Sequence, residues 1–416
     1  MAVRRGTPFD IALEQGLRAL GEADRRLAHE LAAGVLRHEA ALDAAIAPLL
    51  ARGPGSVLPP VQDILRLGAY QLRHLDRVPP HAVVATAVEL TRAAVGEKGT
   101  GFVNAVLRRM ARERSARAAT PTDAATLAAA SSHPEWLVAR WLERFGLDDT
   151  TRLLEWNNTQ PALVVQATDG DLDALQRMLS ASGSRTFPAP YGAGLVVEST
   201  RPDRLPGFEA GRFFVQDPAQ ALVVRWLGAT PRDTVFDACA APGGKTIGMA
   251  ASARFVVAAD TARRRLPRLR ENLRRVGNRN VAVLLADAAH PPIRPVDRVL
   301  LDAPCLGTGT FARHPDARLR VTPEGLARLA REQALLLDAL AERVGPGGVL
   351  CYATCSLEVE ENAAQIEAFL TRHPAFRRDP PAGDFPRNAA GDLESLPHRD
   401  GMDGAYAARL VRTGPA

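Results

Sequence analysis

Apolar residues in the first 117 positions recur at intervals of three, four or seven, the spacing of helices with one buried face. One such face comprises Leu27, Leu31, Val35, Leu42, Ile46 and Leu49. Proline pairs at 59–60 and 79–80 begin two further helices. The pattern predicts an all-α domain over residues 1–117.

The last helix of this domain ends in a run of arginines: Arg108, Arg109, Arg112, Arg114 and Arg117. Cationic side chains there would bind an RNA backbone. They would equally complement the dipole at the end of a solvated helix. The sequence leaves both interpretations open.

A linker is predicted over residues 118–132, which are rich in Ala, Ser and Thr without an apolar period. Residues 133–212 predict a small α+β module. It would begin with a helix over His133–Asn158 and continue with strands at Leu163–Ala167 and Leu195–Glu198 around a helix at Leu172–Ala181.

From residue 213 to 416 the pattern alternates between short apolar strands and helices. The strands are predicted at Thr234–Ala238, Phe255–Ala259, Val281–Ala286, Arg298–Leu301 and Gly348–Ala353. The helices are predicted at Ala262–Val276, Pro323–Arg343 and Glu360–Arg372. This alternation indicates a Rossmann-like α/β domain whose parallel sheet is covered on both faces. Pro380–Gly401 is predicted as a surface loop and Ala405–Val411 as a closing edge strand.

Composition narrows the class of protein. The 416 residues are 46% hydrophobic, enough for packed cores, yet no apolar run reaches the roughly 20 residues that cross a bilayer. The N-terminus lacks the apolar core of a signal peptide, so we expect a cytoplasmic protein. The net charge of +5 permits nucleic-acid binding. Because 50 of the 52 basic residues are arginine, a GC-rich coding sequence explains much of this bias.

The four cysteines are Cys239, Cys305, Cys351 and Cys355, and none lies in the first 238 residues. A secreted disulfide scaffold would spread more of them along the chain. Their spacing does not form a C-x2-C zinc pair. We therefore expect free thiols and no metal.

A glycine-rich segment, DACAAPGGKT, follows the first α/β strand at Asp237 and opens a helix. Its small residues allow a ligand to approach the backbone. They are Cys239, Ala240, Ala241, Pro242, Gly243 and Gly244, followed by Lys245. The segment is neither a P-loop nor G-x-G-x-x-G. A cofactor with a sulfonium and a carboxylate fits it better than one with phosphates.

Two further acidic residues end the next two predicted strands. Asp260 could hydrogen-bond ribose hydroxyls, and Asp287 could contact an adenine amino group. Each could instead cap the following helix or turn.

The fourth and fifth strands are followed by DAPC, from Asp302 to Cys305, and by ATCS, which contains Cys355. Active-site loops gather at the carboxyl ends of parallel strands. Methylation at C5 of a cytosine is one reaction that needs such a thiol, because a thiolate that adds to C6 of the base makes C5 nucleophilic. An acid near N3, here Asp302, would stabilise the adduct. A second thiol can assist product release. Cys351, inside a strand, and Cys239 are predicted to be packed residues.

In these motifs the chain resembles the Nol1/Nop2/Sun (Fmu) family of RNA cytosine-C5 methyltransferases, and within it the RsmB type that acts on small-subunit (16S) ribosomal RNA. The resemblance covers nearly the whole chain and implies a class I methyltransferase fold that uses S-adenosyl-L-methionine. It implies that Cys355 is the nucleophile and that Cys305 helps to release product, with Asp302 and Lys245 as the other catalytic residues. It also implies cofactor contacts along residues 239–245 and at Asp260, Asp287 and Asp302.

The N-terminal helices resemble the NusB-type RNA-binding domain through RLGAYQL (66–72), VPPH (78–81) and GFVNAVLR (101–108). Two features depart from the family. Leu306 stands where a small polar residue is common, and a further helix usually precedes the stretch resembling Val3–Gln15. We expect either a start codon assigned too far downstream or a genuine absence of that helix.

Three alternatives remain open at this point. The same chemistry could act on transfer RNA or another RNA, because nothing in the sequence fixes the target base. A non-catalytic ribosome-assembly factor could retain the scaffold, although the intact cysteines count against it. A DNA methyltransferase is disfavoured by the second cysteine and by the helical N-terminal domain. We expect a monomer.

Overall fold

The computed structural model describes residues 9–17, 20–51, 53–113, 122–199 and 201–413. The chain divides into two compact units. Unit 1 comprises residues 1–159 together with 314–320, and unit 2 comprises residues 160–313 and 321–416.

Unit 1 is all-α, as predicted. Its helices are α1 (Phe9–Leu17), α2 (Glu22–Arg37), α3 (Glu39–Ile46), α4 (Pro59–His74), α5 (Pro80–Val95), α6 (Thr100–Arg112), α7 (Ala124–Ser131) and α8 (Glu135–Asn157). Both proline pairs begin helices, because proline suits the first helical turn. Leu42 and Ile46 are buried in the core, whereas Leu27 from the same predicted face is 46% exposed.

The segment predicted as a linker forms a helix where it is described. Asp123 caps α7 by accepting a hydrogen bond from the Thr126 amide at 2.9 Å, and Leu127 and Ala128 are buried. Alanine favours helices even where no apolar period is visible. The helix α8, which the sequence grouped with the α+β module, belongs to unit 1. Arg114, Arg117 and part of the Val3–Gln15 stretch lie outside the described residues.

Unit 2 contains a small antiparallel sheet of four strands in the order β2-β3-β1-β4. Its elements are β1 (Leu163–Ala167), α9 (Leu172–Ala181), β2 (Thr186–Pro188), β3 (Leu195–Val197) and β4 (Phe213–Val215). The two predicted strands and the predicted helix are confirmed. The sheet also includes β4, which lies beyond the boundary predicted at residue 212.

The rest of unit 2 is the predicted α/β fold. Its elements are α10 (Pro218–Leu227), β5 (Thr234–Asp237), α11 (Gly244–Ala250), β6 (Phe255–Asp260), α12 (Leu266–Val276), β7 (Val281–Leu285), β8 (Val296–Asp302), α13 (Pro323–Ala341), β9 (Val344–Thr354), α14 (Ala363–Arg372), β10 (Phe376–Arg378), β11 (Leu393–Ser395), α15 (Pro397–Asp400) and β12 (Ala405–Arg412). The strands run in the order β7-β6-β5-β8-β9-β12-β10. Those from β7 to β9 are parallel, and β12 is antiparallel to both neighbours.

Two predictions about the C-terminal part were wrong. The last strand is not at the edge, because β12 lies between β9 and the short β10. The Pro380–Gly401 stretch is not only a surface loop, since it contains β11 and α15 and buries Asp392, Leu393 and Ser395. Prolines and glycines gave this stretch the composition of a loop, and the three-residue strand β11, which pairs with residues 405–407 of β12, is too short to show an apolar pattern.

In the described part of the chain, no helix is both long enough and apolar enough to span a membrane.

Candidate active site

The glycine-rich loop connects β5 to α11 at the carboxyl end of the parallel sheet. Amides of the loop bond to neighbouring strands: Ala238 donates to the Leu300 carbonyl at 3.0 Å and Ala240 to the Ala259 carbonyl at 2.8 Å. Gly243 has a φ of +108°, and a Cβ there would lie 2.6 Å from Leu269. Glycine is therefore required for this turn.

Asp237, at the end of β5, is buried beneath the loop with 1% exposure. Its Oδ2 accepts a hydrogen bond from the Thr246 hydroxyl at 2.6 Å. Its Oδ1 has no hydrogen-bond partner among the described residues. Burial raises the pKa of this carboxyl to about 7, although the Thr246 hydrogen bond opposes the rise. A cationic ligand would relieve the cost of ionising it.

The next two predicted acidic residues have different surroundings. Asp260 is buried at the end of β6, where it accepts hydrogen bonds from the Ala241 amide at 3.2 Å and the Ala262 amide at 2.8 Å. It thereby fixes the glycine-rich loop. Asp287 is more than half exposed and caps its own turn through the Ala289 amide at 2.9 Å. Both lie beyond adjacent parallel strands, β6 and β7.

Lys245 and Asp302 form an ion pair between the start of α11 and the end of β8. The distance from Lys245 Nζ to Asp302 Oδ2 is 2.6 Å. Burial alone would lower the pKa of Lys245, but the Asp302 carboxylate outweighs it, and the pKa lies above the usual value. Lys245 is therefore held as an ammonium beside Asp302.

The two cysteines predicted to flank the pocket are in contact. The Sγ atoms of Cys305 and Cys355 lie 3.4 Å apart. The hydrogen bond to Cys355 raises the pKa of the Cys305 thiol, and burial raises it further. Cys305 is therefore held as a thiol next to the Cys355 sulfur.

The loops that carry these cysteines are joined by backbone contacts. Gly309 donates its amide to the Cys355 carbonyl at 2.9 Å, and Gly404 donates to the Gly309 carbonyl at 2.8 Å. A Cβ on Gly309 would lie 2.7 Å from the Gly404 Cα, and one on Gly404 would lie 2.8 Å from the Gly309 Cα. Glycine at both positions lets three backbone segments meet behind Cys355.

A buried carboxylate that the sequence analysis missed supports the Cys305 loop. Glu361 is fully buried and accepts hydrogen bonds from the Leu306 amide at 3.1 Å and from Gln333 Nε2 at 3.0 Å. Gln333 also donates to the Pro304 carbonyl at 2.9 Å. Burial raises the pKa of Glu361. Glu361 and Gln333 thus hold the backbone on both sides of Cys305.

The two remaining cysteines are packed, as expected. Cys351 is fully buried within β9, and burial raises the pKa of its thiol to about 12. Cys239 is half-buried in the glycine-rich loop, and burial raises its pKa as well. Across the ranges that the structure describes, no group of three or more His, Cys, Asp or Glu side chains could hold a metal ion.

Family models match most of the chain. The model described as "16S rRNA methyltransferase RsmB/F" matches residues 224–411, the NusB family matches 3–112, and the "RsmF/B-like, ferredoxin-like domain" matches 133–202.

A Synechocystis protein named "Probable ribosomal RNA small subunit methyltransferase B" is 36% identical over 98% of this chain and 96% of its own length. The chain belongs to the RsmB/F family of 16S rRNA methyltransferases. A Citrobacter koseri relative named "Ribosomal RNA small subunit methyltransferase B" is 35% identical over 99% of this chain and 96% of its own length.

Solved structures confirm the fold class of this RsmB/F family member. PH0851 superposes with a TM-score of 0.81, is 24% identical, and covers 95% of this chain and 92% of its own. NSun6 from Pyrococcus horikoshii, solved with SFG, has a TM-score of 0.60 and is 20% identical. That similarity covers 68% of this chain and 99% of the NSun6 chain.

Proposed function

We propose that the protein transfers a methyl group from S-adenosylmethionine to C5 of a cytosine in small-subunit ribosomal RNA. Cys355 would be the nucleophile, and Cys305 would assist product release. The observation that carries this proposal is the contact of two thiols beside the Lys245–Asp302 pair. The relatives named for methylation of small-subunit ribosomal RNA support the choice of substrate.

The residues around the glycine-rich loop fit S-adenosylmethionine, which carries a cationic sulfonium and ammonium. Asp237 offers a buried carboxylate oxygen without a hydrogen-bond partner in the described chain. Asp260 would bind the ribose hydroxyls and Asp287 the adenine amino group, while the backbone of residues 239–245 and Asp302 would complete the site. The SFG in the NSun6 structure, an analogue of S-adenosylmethionine, supports S-adenosylmethionine as the cofactor.

Covalent catalysis by Cys355 accounts for the need for a thiol. Its thiolate forms an Sγ–C6 bond, and the C5–C6 π electrons move to C5, which becomes nucleophilic. Bound S-adenosylmethionine supplies the electrophilic methyl group for the new bond at C5 and keeps the electron pair of the broken S–CH3 bond as the neutral thioether. The C5 proton then leaves to a base, the C5–C6 double bond re-forms, and the Sγ–C6 bond breaks. Its electron pair returns to Cys355, and the Cys305 thiol, 3.4 Å away, stabilises the departing sulfur.

The proton donor at N3 is better assigned to a pair of residues than to Asp302 alone. Asp302 already accepts a hydrogen bond from the Lys245 ammonium. The ammonium provides the acidic proton, and Asp302 orients it and can bond to the base. This assignment specifies the catalytic role expected for Lys245, in addition to its place in the cofactor loop.

The test is transfer of tritiated methyl from S-adenosylmethionine to unmodified small-subunit ribosomal RNA, with transfer RNA in a parallel reaction. Wild type should label cytosine C5 in the ribosomal RNA. Cys355→Ala should be inactive, and Cys305→Ala should accumulate a covalent protein–RNA adduct that survives denaturing electrophoresis. Cys351→Ala, which changes a thiol within β9, is the matched control and should retain both activity and turnover.

Three outcomes contradict parts of the proposal. Turnover by Cys355→Ala would exclude it as the nucleophile. Label confined to transfer RNA would retain the chemistry and exclude the ribosomal substrate. RNA binding without any methyl transfer by wild type would instead favour a non-catalytic assembly factor.

A further inference from the structure

Arginines are concentrated around α12 in unit 2. Residues 263–279 contain eight arginines and one acidic residue, Glu271. Six of these arginines have exposed side chains and form no ion pair with a carboxylate in the described part of the chain. We call these six the arginine row: Arg263, Arg264, Arg268, Arg270, Arg274 and Arg279.

The other two arginines of this stretch have structural contacts. Arg265 lies 3.3 Å from the Asp260 carboxylate, and it also bonds to the Ala241 carbonyl. Arg275 donates to the carbonyls of Phe208 and Phe213 at 2.9 and 3.0 Å. In the described residues the side chains of the arginine row make no such contacts, so contacts within the protein do not explain why six arginines lie here.

The arginine-rich composition of the chain does not explain the row. A coding bias would affect the helices of this unit alike, yet α13 carries two arginines against three acidic residues. On α13, Arg328 is paired with Glu332 at 3.3 Å. By contrast, α12 has four arginines and one glutamate over 11 residues.

Packing fixes the direction in which the row points. Leu266, Leu269 and Leu273 are buried and attach α12 to the sheet. The three row members on this helix, Arg268, Arg270 and Arg274, extend into solvent. Over 11 residues the helix spans about 16 Å, long enough to follow several phosphates of one strand. Guanidinium groups bind phosphate oxygens in pairs of parallel hydrogen bonds.

The row also begins next to the candidate active site. Arg263 comes three residues after Asp260, the last residue of β6. In the sheet, β6 is separated by β5 from β8, which carries Asp302. Two strand spacings correspond to about 10 Å. An RNA whose target base reaches the cysteines can therefore continue along α12.

We propose that the arginine row binds the sugar-phosphate backbone of the substrate RNA flanking the target cytosine. The inference rests on the proposed function for the identity of the polyanion. It assigns to α12 a positioning role that depends on charge and is independent of base sequence.

The test measures affinity for small-subunit ribosomal RNA against salt concentration. In the triple variant Arg268→Gln/Arg270→Gln/Arg274→Gln, affinity should fall at least about tenfold, and the slope of log affinity against log salt should decrease by about 2. The corresponding triple lysine variant keeps the charges and should keep the slope. The control is the double variant Arg328→Gln/Arg331→Gln, which removes both arginines of α13 and should bind RNA like wild type.

Unchanged affinity and slope in the glutamine variant, with wild-type S-adenosylmethionine binding and thermal unfolding, would overturn the inference. Methyl transfer by wild type is measured in the same preparations to separate the two proposals. If wild type methylates the RNA and the triple variant binds normally, only the arginine row is excluded. If wild type shows a row-dependent slope but transfers no methyl group, the proposed function fails and the row remains an RNA-binding surface.

Discussion

The Sγ atoms of Cys305 and Cys355 are 3.4 Å apart although the residues are separated by 50 positions in the chain. Each follows the end of a parallel strand, β8 or β9, and these strands are neighbours. The sheet therefore brings the two thiols together. The hydrogen bond to Cys355 and burial raise the pKa of the Cys305 thiol, and the nearby Glu361 carboxylate raises it further.

Hydrogen peroxide should join these two cysteines. The sulfurs need only approach from contact distance to the roughly 2.05 Å of a disulfide, with peroxide reduced to water. We expect loss of methyl transfer that dithiothreitol restores, and peptide mass mapping should find a Cys305–Cys355 crosslink. In Cys305→Ser the crosslink cannot form. Inactivation that dithiothreitol fails to reverse in wild type would contradict this prediction.

Two substitutions of Glu361 should distinguish the effect of its hydrogen bonds from the effect of its negative charge. Glu361→Gln retains an acceptor for the Leu306 amide, whereas Glu361→Ala leaves that amide unpaired and should lower the free energy of unfolding by about 1–3 kcal/mol. Both remove a negative charge near Cys305 and should shift its alkylation by iodoacetamide to lower pH, as followed by mass spectrometry. An unchanged alkylation profile would mean that Glu361 acts only through its hydrogen bonds.

Asp302→Asn should destabilise the protein as well as inactivate it. Lys245 would remain buried without its carboxylate partner, so the main charge that opposes the lowering of its pKa by burial would be lost. We expect a loss of about 2 kcal/mol in urea unfolding, reduced from the larger cost of a fully buried pair because the Asp302 side chain is 30% exposed. Methyl transfer should fall by about 10²–10⁴. Glu97→Gln, which removes an exposed partner of Arg92, is the control and should leave stability unchanged.

The buried Asp237 should make stability depend on pH. Its folded-state pKa of about 7 lies above its usual 3.8, so between these values the folded protein binds more protons than the unfolded chain. This stabilisation is complete below about pH 4 and is lost as the pH rises through 7. From pH 4 to 8, Asp237→Asn should therefore gain about 4 kcal/mol relative to wild type.

The Asp237 effect is measured by urea unfolding of both proteins without cofactor across this range. Carboxyls remote from Asp237 cancel in the difference between the two proteins, which therefore reports Asp237 together with its coupling to Asp302 and Asp260. A difference that stays constant with pH would show that Asp237 is not protonated in the folded state at neutral pH.

Local patterns sufficed for much of this fold. Short apolar runs identified the five parallel strands, and the rule that ligands bind at their carboxyl ends pointed to Lys245, Asp302 and both cysteines at one edge of the sheet. The position of β12 could not be predicted, because strand order depends on pairing between distant segments. Glu361 was missed since it stands beside Glu360 in an acidic stretch that is typical of a solvated turn.

The place of β12 in the sheet has a consequence for synthesis. In chain order β12 follows the other strands of its sheet, yet it lies between β9 and β10, and Gly404 just before it contacts Gly309 behind Cys355. The ribosome releases the segments that carry Lys245, Cys305 and Cys355 before it releases residues 404–412. A nascent chain thus exposes both thiols before the backbone that supports them exists. The site around the two cysteines can therefore be completed only after residues 404–412 have left the ribosome.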